Sequence, residues 1–82
     1  MTRIYLVETT ISGPHAFSNM PAAMKRAETH MAEFCAWAKI TGGGDSEFIE
    51  NDVVNANMRS WSRQRGEGRD PDWVRVSSLA VQ

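Results

Sequence analysis

Cys35 is the one side chain in this 82-residue sequence with the chemistry of a strong nucleophile, and a thiol needs a base to act. His30 lies five residues earlier on a segment of helical character, a spacing that turns it well away from Cys35. His15 belongs to a separate segment. Cys35 therefore reads as a small half-buried thiol packing beside an apolar seam. His30 and Glu33, spaced i and i+3, are two metal ligands with no third suggested by spacing, which is too few for a zinc site. Glu47 with Glu50, and Asp70 with Asp72, are carboxylate pairs in polar surroundings. Nothing apolar beside them would raise one pKa selectively, so they read as solvated charge. Gly42-Gly43-Gly44-Asp45 follows a helical segment rather than a strand and is not followed by Lys-Ser/Thr, so it is no phosphate loop.

What remains is charge. Asp45, Glu47, Glu50 and Asp52 carry no intervening base, whereas Arg59, Arg63, Arg65 and Arg69 are set against Glu67 alone. This reversal is local, because the whole chain has a formal net charge of -1. Guanidinium groups near Trp61 have the chemistry of a single-strand nucleic-acid contact: bidentate phosphate pairing and base stacking. The acidic group has the chemistry of a phosphate-backbone mimic, although four carboxylates are few for that task. The same layout also suits one helix whose acidic start and basic end complement its own dipole.

The elements that must position these groups follow from pattern. Residues 3–11 are rich in β-branched and aromatic types, with Ile4 and Leu6 on one face and Tyr5 and Val7 on the other, which predicts a strand. Ser12-Gly13-Pro14 is a turn signal, after which 15–17 can return as a short second strand. Ser18 is placed as the N-cap of a helix with Pro21 in its first turn. Met20, Ala27 and Phe34 repeat every seven residues, as do Met24, Met31 and Ala38, giving an apolar seam at helical spacing. Thr41-Gly42-Gly43-Gly44 ends that helix.

Within residues 46–64, the run EFIENDVV gives no clean alternation as a strand. As a helix the whole stretch places Asp52, Arg59 and Arg63 on one face with Asn51, Asn55 and Ser62, which predicts a second helix capped by Asp45 or Ser46. Three asparagines and two valines oppose that reading. Trp61 falls on its apolar side and is expected in the core, while Trp37 and Trp73 are open to either core or interface. Residues 73–81 read as a final strand.

The composition excludes several classes. Hydrophobic residues at 41% and charged residues at 23% describe a folded rather than a disordered chain. One cysteine closes no internal disulfide, which fits a reducing cytoplasm. No stretch approaches the ~18–20 apolar residues of a membrane span. A chain this short buries only roughly 60–65% of its unfolded surface. A dimer would relieve so thin a core, and both monomer and homodimer are open.

The segment IYLVETTISGPHAFSNMPAAMKRAETHM resembles the opening of many small phage and mobile-element proteins, with a hairpin, a capping serine and an amphipathic helix. The chain's size and lack of catalytic residues also resemble small phage-encoded inhibitors of host defence, the anti-CRISPR proteins among them. That resemblance implies a partner that is a host protein or ribonucleoprotein complex, whose nucleic-acid recognition would be blocked. It places the contact in the charged stretch 45–72.

Taken together, an α+β fold is expected within one domain spanning 1–82: a small antiparallel sheet, made of the N-terminal hairpin and the C-terminal strand, packed against two helices. The expected function is binding without catalysis, metal or cofactor, in the cytoplasm, through Asp45, Glu47, Glu50, Asp52, Arg59, Arg63, Arg65 and Arg69. The alternative is a nucleic-acid-binding module using the arginines of 59–69.

Overall fold

A computed structural model of the chain describes residues 2–42, 46–52, 55–66 and 68–81. In chain order the elements are β1 (Thr2–Thr9), β2 (His15–Phe17), α1 (Met20–Thr41), β3 (Ile49–Glu50), β4 (Met58–Arg63) and β5 (Asp72–Val81). The strands form one antiparallel sheet in the order β2-β1-β5-β4-β3. The class is α+β as expected. The architecture differs, with five strands and one described helix in place of a small sheet under two helices.

Residues directly opposite one another in a sheet share a face. Val7 faces Val76, Thr9 faces Val74, and Val74 in turn faces Trp61. These side chains look toward α1, where Ala23 and Ala27 meet them; the three valines, two alanines and Trp61 make up the buried core. The alanines matter because a small side chain lets the helix approach the sheet closely. Met20, Met24, Met31 and Phe34 of the same helical seam pack around the core edge. Such a core is small, so stability rests heavily on the caps, turns and ion pairs that surround it.

The helix starts one residue later than Ser18 suggests. Asn19 is the N-cap: its backbone is extended, and its Oδ1 accepts a 2.9 Å hydrogen bond from the Ala22 N–H. Asparagine and serine are about equally good cap formers, so residue type alone does not separate the two adjacent positions and the backbone geometry decides. Gly42 ends the helix in the left-handed conformation (φ 77°), its N–H reaching the Ala38 carbonyl.

The predicted helix over 46–64 does not form. Its residues make β3 and β4, joined by a turn in which Asn55 Oδ1 accepts from the Asn57 N–H at 2.8 Å and the Asn55 carbonyl accepts from the Met58 N–H. An asparagine that hydrogen-bonds its neighbours' backbone favours a turn over a helix. Strand alternation was hidden because the covered face of β4 carries Arg59, Trp61 and Arg63, while its open face carries Met58, Ser60 and Ser62. The two inward-facing arginines thus break the usual inside-apolar rule, while Trp61 follows it. Asp45, Val53, Val54 and Glu67, which entered the reading of this stretch, lie outside the described residues.

Candidate functional site

The four arginines do not act together. Arg59 points over Trp61 (5.1 Å from its carbon to the ring centroid) and pairs with Glu50 through Nε–Oε2 and Nη2–Oε1 contacts of 2.9 Å each. The pair joins β3 to β4 along the sheet edge. It holds the Glu50 carboxyl below its usual range, chiefly through the hydrogen bond from Arg59. Arg63 is buried, with 3% of its surface exposed. Its Nε donates to the Ser46 carbonyl at 2.8 Å and its Nη1 to Asp72 Oδ2 at 3.4 Å. Asp72, read from the sequence as solvated, is buried and lies between Arg63 and Arg65, whose Nε is 3.7 Å from Asp72 Oδ1.

These contacts correct the docking face as first drawn. Among the described residues no helix displays carboxylates at one end and guanidiniums at the other. Arg59 and Glu50 satisfy each other, and Arg63 is part of the interior. Glu47 and Asp52 are exposed, and Asp45 lies outside the described residues. The dipole argument transfers to a different helix: Arg63, Arg65 and Arg69 line the same cleft as Thr41 and Gly42 at the C-terminus of α1.

That cleft has a volume of about 630 Å³. One wall is the C-terminal half of α1, with His30, Glu33, Phe34, Trp37 and Ala38; the other is formed by the arginines, Asp72 and Ile11 from the turn after β1. Two of its apolar side chains face solvent, Trp37 at 66% and Ile11 at 82% exposure. Ile40, one turn after Trp37, is also exposed. Arg65 and Arg69 are exposed, and among the described residues Arg69 makes no ion pair. The lining thus combines apolar anchors with two accessible guanidiniums.

Among the described residues the other candidate groups stand apart from one another. The Cys35 thiol lies 3.9 Å from the Ser46 carbonyl, a weak donor contact, and among the described residues no base hydrogen-bonds it. His30 Nε2 is buried without a hydrogen-bond partner. Desolvation and then the Arg26 charge lower the His30 pKa, Glu33 opposes them, and His15 lowers it further, so the neutral imidazole is favoured. Among the described residues no three His, Cys, Asp or Glu side chains gather as a metal site. No described helix is long and apolar enough to cross a membrane.

Sequence reasoning reached Arg63, Arg65 and Arg69 but missed Ile11 and Asp72, and left Trp37 open. The only sequence signal for Trp37 was its position three residues after Phe34, off the seam of Met24, Met31 and Ala38. No protein-family model matches the chain, and no curated protein and no solved structure matches it either.

Proposed function

We propose that this chain is a small non-enzymatic binding protein that docks on an acidic segment of a partner protein through the cleft beside the C-terminus of α1. The observation that carries this reading is the placement of exposed Trp37 and Ile11 in one cleft with Arg65 and Arg69. Exposed tryptophan and arginine are the side chains that most often anchor protein interfaces. A partner carboxylate would meet the guanidiniums, and an apolar side chain beside it would fill the space over Trp37. The resemblance in layout to phage-encoded inhibitors adds a host protein or ribonucleoprotein complex in the cytoplasm as the proposed partner, with blocked nucleic-acid recognition as the outcome.

Single-stranded nucleic acid is the second reading, because Trp37 beside two guanidiniums is a stacking platform. Trp61, the other stacking candidate, is enclosed in the core. Two accessible arginines on a chain of net charge -1 supply little of the phosphate neutralisation that such binding draws on.

A peptide-display selection against the full chain separates these readings. Selected peptides are expected to place Asp or Glu beside an aromatic or aliphatic residue, and to lose at least about tenfold in affinity against the Arg65→Glu/Arg69→Glu variant. Peptides without acidic enrichment, or bound equally by the variant, would overturn the cleft assignment. Binding of a thymidine oligonucleotide that falls steeply with salt, and that Trp37→Ala abolishes, would favour the second reading.

A further inference from the structure

Helix α1 covers one face of the sheet, and no described element packs on the other. The open face follows from the register: Ile4 is opposite Leu79, Leu6 opposite Ser77, and Ser77 opposite Met58, with Trp73 and Val81 farther along β5. Leu79 and Val81 rank among the exposed large apolar side chains, as does Ile49 of β3 on the same face. An antiparallel sheet with one solvated face ordinarily alternates apolar and polar residues. β1 does not: Ile4-Tyr5-Leu6-Val7 is continuous, the pattern of a strand covered on both sides.

We propose that this open face is the interface of a homodimer, with two copies packed sheet on sheet about a twofold axis. Charge selects a second copy over an unlike partner. The opposed charges on the face are Glu8 and Arg75, directly opposite in the register and 3.0 Å apart, with Arg75 also over the Trp73 ring at 5.2 Å. The face therefore carries both signs in balance. A twofold axis beside this pair brings each Arg75 toward the other copy's Glu8, which suits an isologous contact.

Size agrees. β1 and β5 pair over eight positions at about 3.3 Å per residue, and with the shorter β2, β3 and β4 beside them at about 4.8 Å spacing the face has a plan on the order of 450 Å² before side-chain relief is added. A standard stable interface buries about 800 Å² of accessible surface per partner. Covering this face would also supplement a core of three valines, two alanines and one tryptophan. The dimer face lies on the opposite side of the sheet from the cleft wall formed by α1, so the two surfaces are independent.

Sedimentation velocity of the full chain across a wide concentration range tests this. The expected result is a reversible transition to twice the monomer mass. Leu79→Glu and, at the strand end, Val81→Asp are each expected to raise the dimer dissociation constant at least about tenfold, with far-UV circular dichroism unchanged because both side chains are exposed in the monomer. Glu8→Arg alone should weaken the dimer, and Glu8→Arg with Arg75→Glu should restore it. Arg65→Glu/Arg69→Glu should leave it intact. A wild-type chain that stays monomeric up to millimolar concentration would overturn the proposal. So would a dimer indifferent to the open-face variants, or one lost on changing the cleft arginines.

Discussion

Glu50 and Arg59 are diagonal neighbours across the β3–β4 pair, joined by two parallel 2.9 Å contacts although their side chains remain 39% and 43% exposed. β3 has only two residues, and this bidentate pair reinforces its attachment to the sheet.

The pair has a pH signature with a definite sign. The hydrogen bond from Arg59 holds the Glu50 carboxyl below its ordinary value in the folded chain; desolvation opposes it, and the Arg59 charge adds a smaller push in the same direction as the bond. Its contribution is therefore fully present above the unfolded carboxylate pKa and is lost as pH falls through the depressed folded value. Urea midpoints measured against pH should fall more steeply on the acid side for the wild type than for Glu50→Gln. The two should differ most at neutral pH, by a small amount because solvent screens an exposed pair, and converge once Glu50 is protonated. Superimposable acid limbs would refute the linkage.

Arg63 should behave differently, being enclosed. Arg63→Ala leaves buried Asp72 with the half-exposed Arg65 at 3.7 Å and leaves the Ser46 carbonyl with only the weak Cys35 thiol contact. Breaking a buried pair in this way costs about 3–5 kcal/mol, enough to unfold much of a small domain at room temperature. The Arg63→Met/Asp72→Leu double variant should recover part of that loss, because no lone charge remains inside. Denaturant midpoints of both variants provide the check, and a single variant as stable as the double would contradict the pairing.

The helix start gives a sharp contrast between neighbours. Asn19→Ala should destabilise by about 1 kcal/mol through loss of the bond to the Ala22 N–H. Ser18→Ala should stay within about 0.5 kcal/mol. Equal effects at both positions would mean that the cap is shared. Asn19→Asp should be neutral or stabilising, since the first turn of α1 contains no acidic residue.

The helix end gives a second contrast. Gly42 has φ 77°, so Gly42→Ala forces a side chain into the left-handed region and should cost about 1 kcal/mol. Gly13 has no positive φ and open space around its Cβ position, so Gly13→Ala should cost less. Thermal melts of the two variants distinguish them, and a larger loss at Gly13 would be inconsistent with the observed cap.

The amino-acid sequence by itself determined the parts whose signals lie within one element. The seven-residue spacing of Met20, Ala27 and Phe34, with Pro21 at one end and Gly42 at the other, specifies α1 because periodicity and caps are local. The β-branched runs of β1 and β5 are legible for the same reason. Only the tertiary structure decided residues 46–64. Arg59 and Arg63 turn toward the helix because Glu50 and Asp72, each nine positions away, neutralise them there, so the rule that polar residues face outward misread the strand as a helix. The cleft was equally hidden. β3 and β4 both lie between Trp37 and Arg65 in the chain, and the two line one cleft because β5 pairs with both β1 and β4 while α1 crosses above them. Contacts between such distant positions are set by the global minimum of burial and charge pairing, to which local propensity contributes little.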